Sequence, residues 1–227
     1  MGIDAFDAEF ESRSPTRVLV VDDHRTFAEL LASALDAEPD LTCVGRELNA
    51  AGAIEATARL MPDMVLMDLK LPDGDGIATT AELTATYPEL MVLILTGHAS
   101  TAEMTRAAMA GASGFLAKNG SLDDVLDALR TARRGSLILP PSLVAALRTS
   151  APPRSEVQPE SSLTERELEV LRRLSRGEEP RVIAKQLGVS LSTCRGYVSS
   201  LLGKLKVHSQ LEAVVVASRA GLIRLGE

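Results

Sequence analysis

The feature that most constrains this chain is a fivefold alternation of short apolar runs and helical patterns between residues 16 and 135. Five apolar runs predict buried strands, and each is followed by apolar residues at helical spacing. The predicted strands are Val18–Val21, Leu41–Leu48, Met64–Met67, Met91–Leu95 and Gly114–Ala117. Strands that alternate with helices form a parallel sheet with helices on both faces. The first part of the chain is therefore predicted to be an α/β domain with a five-stranded parallel sheet.

Polar residues follow four of these five strands. Asp22 and Asp23 follow the first strand, Asp68 the third, Thr96 the fourth and Lys118 the fifth. In a flavodoxin-like sheet of order 2-1-3-4-5, the carboxyl ends of these four strands border one crevice. A single aspartate after a strand is more often a turn cap, but four such positions together favour a site. Three carboxylates in one crevice repel one another unless a cation joins them, and their oxygens suit Mg²⁺.

A second pattern, typical of a small all-α domain, occupies the end of the chain. Thr164 and Glu167 have capping-box spacing before an apolar stripe, and Pro180 fits the first turn of a second helix. A turn at residues 188–190 precedes a third helix, and a fourth is predicted over Ser209–Ala220. Two helices joined by a short turn that contains glycine are typical of a helix-turn-helix module that binds DNA.

The distribution of charge agrees with a polyanionic partner for this second domain. The 227 residues carry a net charge of −7. Residues 1–160 contain 24 acidic and 13 basic side chains, whereas residues 161–227 contain 7 acidic and 11 basic ones. An acidic domain followed by a basic one is expected when only the second meets a polyanion. Surface variation alone would give the same imbalance, so charge does not decide the question.

Composition also predicts where the domains begin and end. The acidic start predicts a disordered leader over residues 1–15, and the proline-rich stretch TSAPPRSEVQPESS predicts a flexible linker. The predicted domains are residues 16–135 and 163–227, and residues 136–162 form a linker with a short helix at Ser142–Arg148. No apolar run is long enough to span a membrane, and the N-terminus lacks a signal-peptide shape. Cys43 and Cys194 lie in different domains, so a reducing cytoplasm is expected.

Four motifs of the first domain resemble a known family. The segments VVDDH, MDLKLPDGDG, LTGHAS and GASGFLAKN occur in the order found in the receiver domain of two-component response regulators. The resemblance implies that a sensor histidine kinase transfers a phosphoryl group to Asp68. It also implies that Asp22, Asp23, Asp68 and the backbone carbonyl of Lys70 hold Mg²⁺.

The same resemblance assigns three further residues of the receiver domain. Lys118 would stabilise charge on the transferring group, and the Thr96 hydroxyl would donate a hydrogen bond to a phosphoryl oxygen. Phe115 would swing inward as a switch when Thr96 moves. Taken alone, Phe115 would be interpreted as an ordinary core aromatic residue; the presence of Thr96 and Lys118 favours the switch.

The second domain closely resembles the LuxR-type DNA-binding domain of NarL/FixJ response regulators. The resemblance covers about residues 161–222 and makes the third helix the recognition helix. The implied DNA contacts are Ser192, Thr193, Arg195, Gly196, Ser199, Ser200, Lys204 and Lys206. Arg195 stands where the family commonly has lysine, and it can contact guanine or phosphate. Lys204 and Lys206 are candidates for phosphate contacts.

These resemblances predict a transcription regulator of the NarL/FixJ class, gated by phosphorylation of Asp68. They imply that the unmodified receiver occludes the recognition helix, and that phosphorylation favours a homodimer on double-stranded promoter DNA. The receiver would catalyse only its own phosphorylation and dephosphorylation, so no turnover of an external substrate is expected. The main alternative is an atypical receiver that takes no phosphate and acts through protein contacts or constitutive DNA binding.

An enzyme of the haloacid-dehalogenase type is a further alternative, because such phosphatases and mutases also use an aspartate nucleophile at a strand end. These enzymes need a second aspartate two residues after the first. In this chain Lys70 occupies that position after Asp68, and Asp22 and Asp23 are adjacent instead. Steady turnover of a phosphomonoester would be needed to support this alternative.

Overall fold

A computed structural model describes residues 14–97, 99–133, 135, 137–138, 140, 143–145, 147 and 163–223. Its principal strands are β1 (Thr16–Val21), β2 (Leu41–Glu47), β3 (Met64–Asp68), β4 (Met91–Thr96) and β5 (Gly114–Ala117). The helices of the first domain are α1 (Arg25–Asp36), α2 (Ala50–Leu60), α3 (Gly76–Thr86), α4 (Thr101–Met109) and α5 (Leu122–Arg133). Those of the second domain are α6 (Glu165–Leu174), α7 (Pro180–Leu187), α8 (Leu191–Leu205) and α9 (Gln210–Arg219).

The five strands form one parallel sheet in the order β2-β1-β3-β4-β5, which confirms the predicted fold class. Across the centre of the sheet, Val20 aligns with Leu66, Leu66 with Leu93, and Leu93 with Gly114. The central strands are almost wholly apolar and are buried because helices cover both faces of a parallel sheet. This register brings the ends of β1, β3, β4 and β5 to the same edge of the sheet.

The loop after β3 contains a small feature that the sequence patterns did not indicate. Residues Lys70–Leu71 and Gly74–Asp75 form a two-residue antiparallel pair. Asp73, at the turn between them, accepts hydrogen bonds from the backbone N–H groups of Ala50 (2.7 Å) and Ala51 (3.1 Å) at the start of α2. These two hydrogen bonds lower the pKa of Asp73. The loop is therefore fastened to a neighbouring helix on the side away from β3.

Several helices begin at residues whose side chains cap the first turn, including the predicted capping box at Thr164 and Glu167. Ser100 and Glu103 form a capping box at α4, and Thr164 and Glu167 form another at α6. Ser190 caps α8 by accepting a hydrogen bond from the Thr193 N–H group at 3.0 Å. Such caps satisfy N–H groups that lack partners in the first turn of a helix, which is why they could be predicted from short-range spacing.

The segment after α5 packs against the receiver sheet in the part of it that the structure describes. Ile138 forms a parallel bridge with Gly114 on β5. Residues 143–145 and 147 are helical, and Leu143 and Leu147 are buried. The predicted leader over residues 1–15 lies outside the described residues except for its last two positions, and the proline-rich linker at residues 149–162 lies wholly outside them. The predicted domain boundaries therefore stay predictions.

Replacing Met61 by glycine is expected to stabilise the protein by about 0.5–1 kcal/mol. Met61 ends α2 in the left-handed conformation (φ 46°), which costs free energy for any residue with a Cβ atom. Its side chain is 61% exposed, so little packing is lost. Urea unfolding should give a higher midpoint for Met61→Gly and no increase for the control Met61→Ala. An equal increase in both variants would mean that backbone strain is not the cause.

Candidate functional site

The candidate site lies at the carboxyl edge of the sheet, where four strands end beside one another. Asp22 and Asp23 follow β1, Asp68 is the last residue of β3, Thr96 is the last residue of β4 and Lys118 follows β5. Asp22 and Asp68 are buried, with 0% and 5% of their surfaces exposed. Buried carboxylates need partners because losing water around a charge is costly.

Lys118 is the partner of both buried carboxylates. Its Nζ atom lies 2.6 Å from Asp22 Oδ2 and 2.7 Å from Asp68 Oδ2, and it donates a hydrogen bond to the latter. It also lies 5.6 Å from the centroid of the Phe27 ring on α1. Burial lowers the pKa of Lys118, but the two carboxylates outweigh burial and raise it overall. The lysine therefore stays protonated, and the structure brings Asp22, Asp68 and Lys118 together as the sequence predicted.

Asp23 and His24 complete an acidic cluster on the other side of Asp22. His24 Nδ1 lies 2.7 Å from Asp23 Oδ1 and 3.1 Å from Asp22 Oδ1. The His24 backbone N–H group donates to Asp22 Oδ1 at 2.9 Å. Asp22, Asp23, His24 and Asp68 each offer one ligand atom, and all four atoms lie within 4.8 Å of one another. His24 was not among the residues predicted for this site, although its position directly after two acidic residues at a strand end indicated it.

This cluster fits a divalent cation. It contains three carboxylates, and Lys118 is the one ammonium group in contact with the two buried ones among the described residues. Asp22 Oδ2 is buried and has no hydrogen bond with good geometry; its partner is the ion contact with Lys118. A set of carboxylate oxygens that carries excess negative charge is the donor set that Mg²⁺ prefers.

The remaining predicted receiver residues are Thr96, Phe115 and Lys70, and they differ in exposure. Thr96 is half-buried, and its backbone carbonyl accepts a hydrogen bond from the Lys118 N–H group at 2.9 Å. Phe115 is 5% exposed, so it lies inside the domain. The Lys70 side chain is exposed, and its backbone N–H group lies 3.4 Å from Asp68 Oδ1. The predicted contact of the Lys70 carbonyl with a cation stays a prediction.

The eight predicted DNA contacts all lie on or just after α8, and all are exposed. They occupy one side of the helix, while Cys194, Val198 and Leu201 on the other side are buried. Lys206 ends the helix in the left-handed conformation (φ 56°). These eight residues are therefore open to solvent, as DNA contacts must be, and their contact with DNA stays a prediction.

Ser200 and Lys204, two of the eight residues, have a side-chain partner on another helix of the domain. Ser200 donates a hydrogen bond to Glu167 Oε1 at 2.6 Å, and Lys204 Nζ donates to Glu167 Oε2 at 2.7 Å. Glu167 is 3% exposed and also accepts a hydrogen bond from the Thr164 N–H group. Burial raises the pKa of Glu167, but its hydrogen bonds outweigh burial and lower the pKa to about 2. Ser200 and Lys204 therefore connect α8 to α6, a role that the capping-box motif alone did not indicate.

The receiver domain packs against α9. Ser209, the N-cap residue of α9, donates a hydrogen bond to the Ala112 carbonyl oxygen at 2.9 Å, and α9 contacts α4. Glu212 in the first turn of α9 is buried, and burial raises its pKa. The receiver thus covers α9, whereas the candidate contacts on α8 remain exposed. This arrangement differs from the predicted occlusion of the recognition helix, because docking uses the helix after it.

Comparisons with known proteins identify the class that this fold and site define. The family described as "Response regulator receiver domain" matches residues 18–130, and the luxR family of bacterial regulatory proteins matches residues 161–217. The chain belongs to the response regulators that join a receiver domain to a luxR-type DNA-binding domain. The response regulator protein VraR of Staphylococcus aureus is 33% identical over 208 residues, which cover 92% of this chain and 99% of VraR.

Solved structures agree with this assignment. A two-component response regulator of the LuxR family from Aurantimonas sp. SI85-9A1 is 28% identical, with a TM-score of 0.54; the match covers 58% of this chain and 94% of that one. A complex of the response regulator RcsB with DNA is 23% identical, with a TM-score of 0.55 over 90% of this chain and 99% of that one. At that identity the second likeness supports the fold alone. Within the described residues, the helices are too short or too polar to cross a bilayer.

Proposed function

We propose that this response regulator is switched by phosphorylation of Asp68 and controls transcription by binding promoter DNA as a homodimer. The observation that carries the proposal is the Lys118 ammonium group between Asp22 and Asp68. A protonated lysine beside a strand-end aspartate gives a transferring phosphoryl group both a nucleophile and a positive charge. The partner that supplies the phosphoryl group would be a sensor histidine kinase, since the chain contains a receiver domain.

Asp68 is the proposed nucleophile. One carboxylate oxygen forms the new bond to phosphorus while the bond between phosphorus and the donor's histidine nitrogen breaks. The electron pair of that bond stays on the histidine nitrogen, and Asp68 becomes an acyl phosphate. Lys118 would stabilise the negative charge on the oxygens of the transferring phosphoryl group, and the Thr96 hydroxyl at the end of β4 would donate to one of these oxygens.

The proposed cation site is formed by Asp22, Asp23 and Asp68, together with the backbone carbonyl of Lys70. A bound Mg²⁺ ion would supply positive charge beside the phosphoryl oxygens. The acidic cluster supports this assignment, because its ligand atoms lie within 4.8 Å of one another. Asp22 and Asp23 have no covalent role. Their carboxylates would hold the ion in position and balance its positive charge.

The proposed DNA contacts fall into two groups. Ser192, Thr193, Arg195 and Ser199 occupy the N-terminal two-thirds of the exposed side of α8, which is the part that enters the major groove in helix-turn-helix proteins. Gly196 leaves room for close approach to DNA, and no atom lies near the Cβ position that it lacks. Lys206 suits a phosphate contact. Ser200 and Lys204 contribute mainly through Glu167, which fixes the position of α8.

Incubation with acetyl phosphate and Mg²⁺ tests the phosphorylation step. The wild-type protein is expected to gain the mass of one phosphoryl group, whereas Asp68→Asn should gain none because its amide is not a nucleophile. Electrophoretic retardation of promoter DNA should be stronger for the phosphorylated wild type than for Asp68→Asn. A wild-type protein that gains no mass, or an Asp68→Asn variant that gains it, would contradict the assignment of Asp68.

A receiver that regulates without phosphate is the second candidate function. The observation in its favour is the exposure of all eight candidate DNA contacts, which the packing of the receiver domain against α9 leaves uncovered. If binding is constitutive, Asp68→Asn and the phosphorylated wild type will retard DNA to the same extent. A difference of tenfold or more in affinity, on the order of 1.4 kcal/mol, would favour phosphorylation control.

A further inference from the structure

His24 lies at a helix N-terminus, where other types of side chain would stabilise the helix more than histidine does. It is the N-cap residue of α1, yet its side chain makes no capping hydrogen bond. Serine, threonine, aspartate and asparagine are favoured there because they accept a hydrogen bond from the first turn. The imidazole points instead to the carboxylates, with Nδ1 2.7 Å from Asp23 Oδ1 and 3.1 Å from Asp22 Oδ1. Its placement therefore serves the acidic cluster rather than the helix.

The two oxygens of Asp22 have different partners. Oδ2 contacts Lys118 at 2.6 Å, whereas Oδ1 accepts from the His24 backbone and lies beside its ring. Asp23 lies on the same side as His24 and is partly exposed, at 39%. The Oδ1 side of Asp22 is thus bordered by one carboxylate oxygen and one ring nitrogen. A cation that bound there would meet an imidazole as well as carboxylates.

The donor set matters because divalent ions differ in their preference for nitrogen. Mg²⁺ takes oxygen ligands almost exclusively, whereas imidazole favours ions of the later first transition row. Ligand atoms of one such ion lie about 3–4 Å apart, given bonds of about 2.1 Å. The four ligand atoms here lie within 4.8 Å of one another, and His24 Nδ1 lies 2.7 Å from Asp23 Oδ1. These separations extend somewhat beyond that range on both sides, so small movements of the exposed Asp23 and His24 side chains would let one ion contact all four side chains.

We propose that His24 Nδ1 is a protein ligand of the receiver's divalent cation and shifts the preference of this site from Mg²⁺ toward first-row transition ions such as Co²⁺. The inference rests on the proposed cation site and adds a determinant of which ion occupies it. His24 is exposed (71% of its side chain), so the ring can follow an ion without repacking the core. Its role is to bind the ion, and the phosphoryl chemistry stays with Asp68.

Calorimetric titration of the full chain with Co²⁺ and with Mg²⁺ tests the proposal. The variant is His24→Asn, which keeps a polar side chain and provides a favoured N-cap residue. We expect Co²⁺ affinity to fall roughly tenfold or more, as happens when a nitrogen ligand or its support is lost. Mg²⁺ affinity should change less than about twofold, because the three carboxylates remain. His98→Asn and His208→Asn are the matched controls, since the chain has three histidines.

Proton NMR of the Co²⁺ form gives a second readout that does not depend on affinity. Coordination through Nδ1 should produce one paramagnetically shifted imidazole N–H signal, lost in His24→Asn and kept in both control variants. Loss of the signal in His98→Asn instead would overturn the proposal, as would an equal fall in affinity for both ions or no fall for either. Each of those outcomes would overturn the role of His24 and would still be compatible with a cation site formed by the three carboxylates. If neither ion binds the wild-type protein, the proposed cation site fails as well.

Discussion

Replacing Gly76 by alanine is expected to destabilise the receiver domain by about 3 kcal/mol or more and to abolish phosphorylation of Asp68. Gly76 is the first residue of α3, and its N–H group donates to the Leu69 carbonyl at 3.0 Å. A Cβ atom on Gly76 would overlap the Asp68 carbonyl oxygen and lie 2.9 Å from its carbonyl carbon. Both groups are backbone, so neither can rotate away. The loop or β3 must move, and Asp68 moves with it.

Gly97→Ala is the matched control for this prediction. Gly97 follows β4 at the same edge of the sheet, but no atom lies within 4 Å of the Cβ that it lacks. Its replacement should change the midpoint of urea unfolding little, whereas Gly76→Ala should lower it strongly. Mass spectrometry after acetyl phosphate treatment measures the second effect. If Gly76→Ala unfolds and accepts phosphate like the wild type, the close contact between α3 and the end of β3 does not exist in solution.

Replacing Glu167 by glutamine is expected to destabilise the DNA-binding domain by about 2–4 kcal/mol. Glu167 is buried and holds both Ser200 and Lys204 of α8. The neutral amide cannot balance the Lys204 ammonium, and it offers one acceptor oxygen where the carboxylate offers two. Calorimetry should show a lower unfolding temperature for the transition of this domain. DNA affinity should fall with it, because α8 loses its attachment to α6.

The same residue predicts a pH dependence with a definite direction. The pKa of Glu167 is lowered to about 2 in the folded chain, against an unfolded value of roughly 4.3. Its contribution is therefore complete above about pH 4.3 and is lost as pH falls toward 2, an effect on the order of 3 kcal/mol. Between about pH 4.3 and about pH 2 the wild-type domain should lose this stabilisation, whereas Glu167→Gln should not show this part of the decrease.

Glu165→Gln is the control for the calorimetric unfolding temperature and for the pH dependence of stability that are predicted for Glu167. Glu165 lies two residues earlier, in the first turn of α6, and is exposed. Its loss removes only a favourable interaction with the helix dipole, worth a few tenths of a kcal/mol to about 1 kcal/mol. If Glu165→Gln and Glu167→Gln have equal effects, the buried contact with α8 contributes nothing beyond the charge at the helix start.

Short-range patterns were enough to predict most of the secondary structure and the residues at the strand ends. Apolar runs marked the strands, and the capping box at Thr164 and Glu167 marked a helix start within a few residues. The convergence of Asp22, Asp68 and Lys118 followed from sheet order, because parallel strands end at one edge. The sequence thus predicted which residues meet at the site before any contact was known.

These patterns could not predict contacts between segments that are distant in the sequence. The sequence marked Lys204 as a candidate for a phosphate contact, but the structure places its ammonium group 2.7 Å from Glu167, 37 positions earlier. The family resemblance implied that the receiver would cover α8, whereas in the structure Ser209 connects the receiver to α9. Neither contact can be predicted from the neighbouring residues in the sequence, since a lysine that is exposed and a lysine that is paired look alike there.

By itself, then, the sequence determined the sheet, the helices and the set of polar residues at the strand ends, because strand and helix periods and caps act over a few residues. Only the tertiary structure decided three contacts that the order of the elements did not imply. The His24 ring contacts Asp22 and Asp23, Lys204 contacts Glu167, and α9 packs against the receiver domain. These choices depend on burial and on the distances between packed elements, which no local spacing encodes.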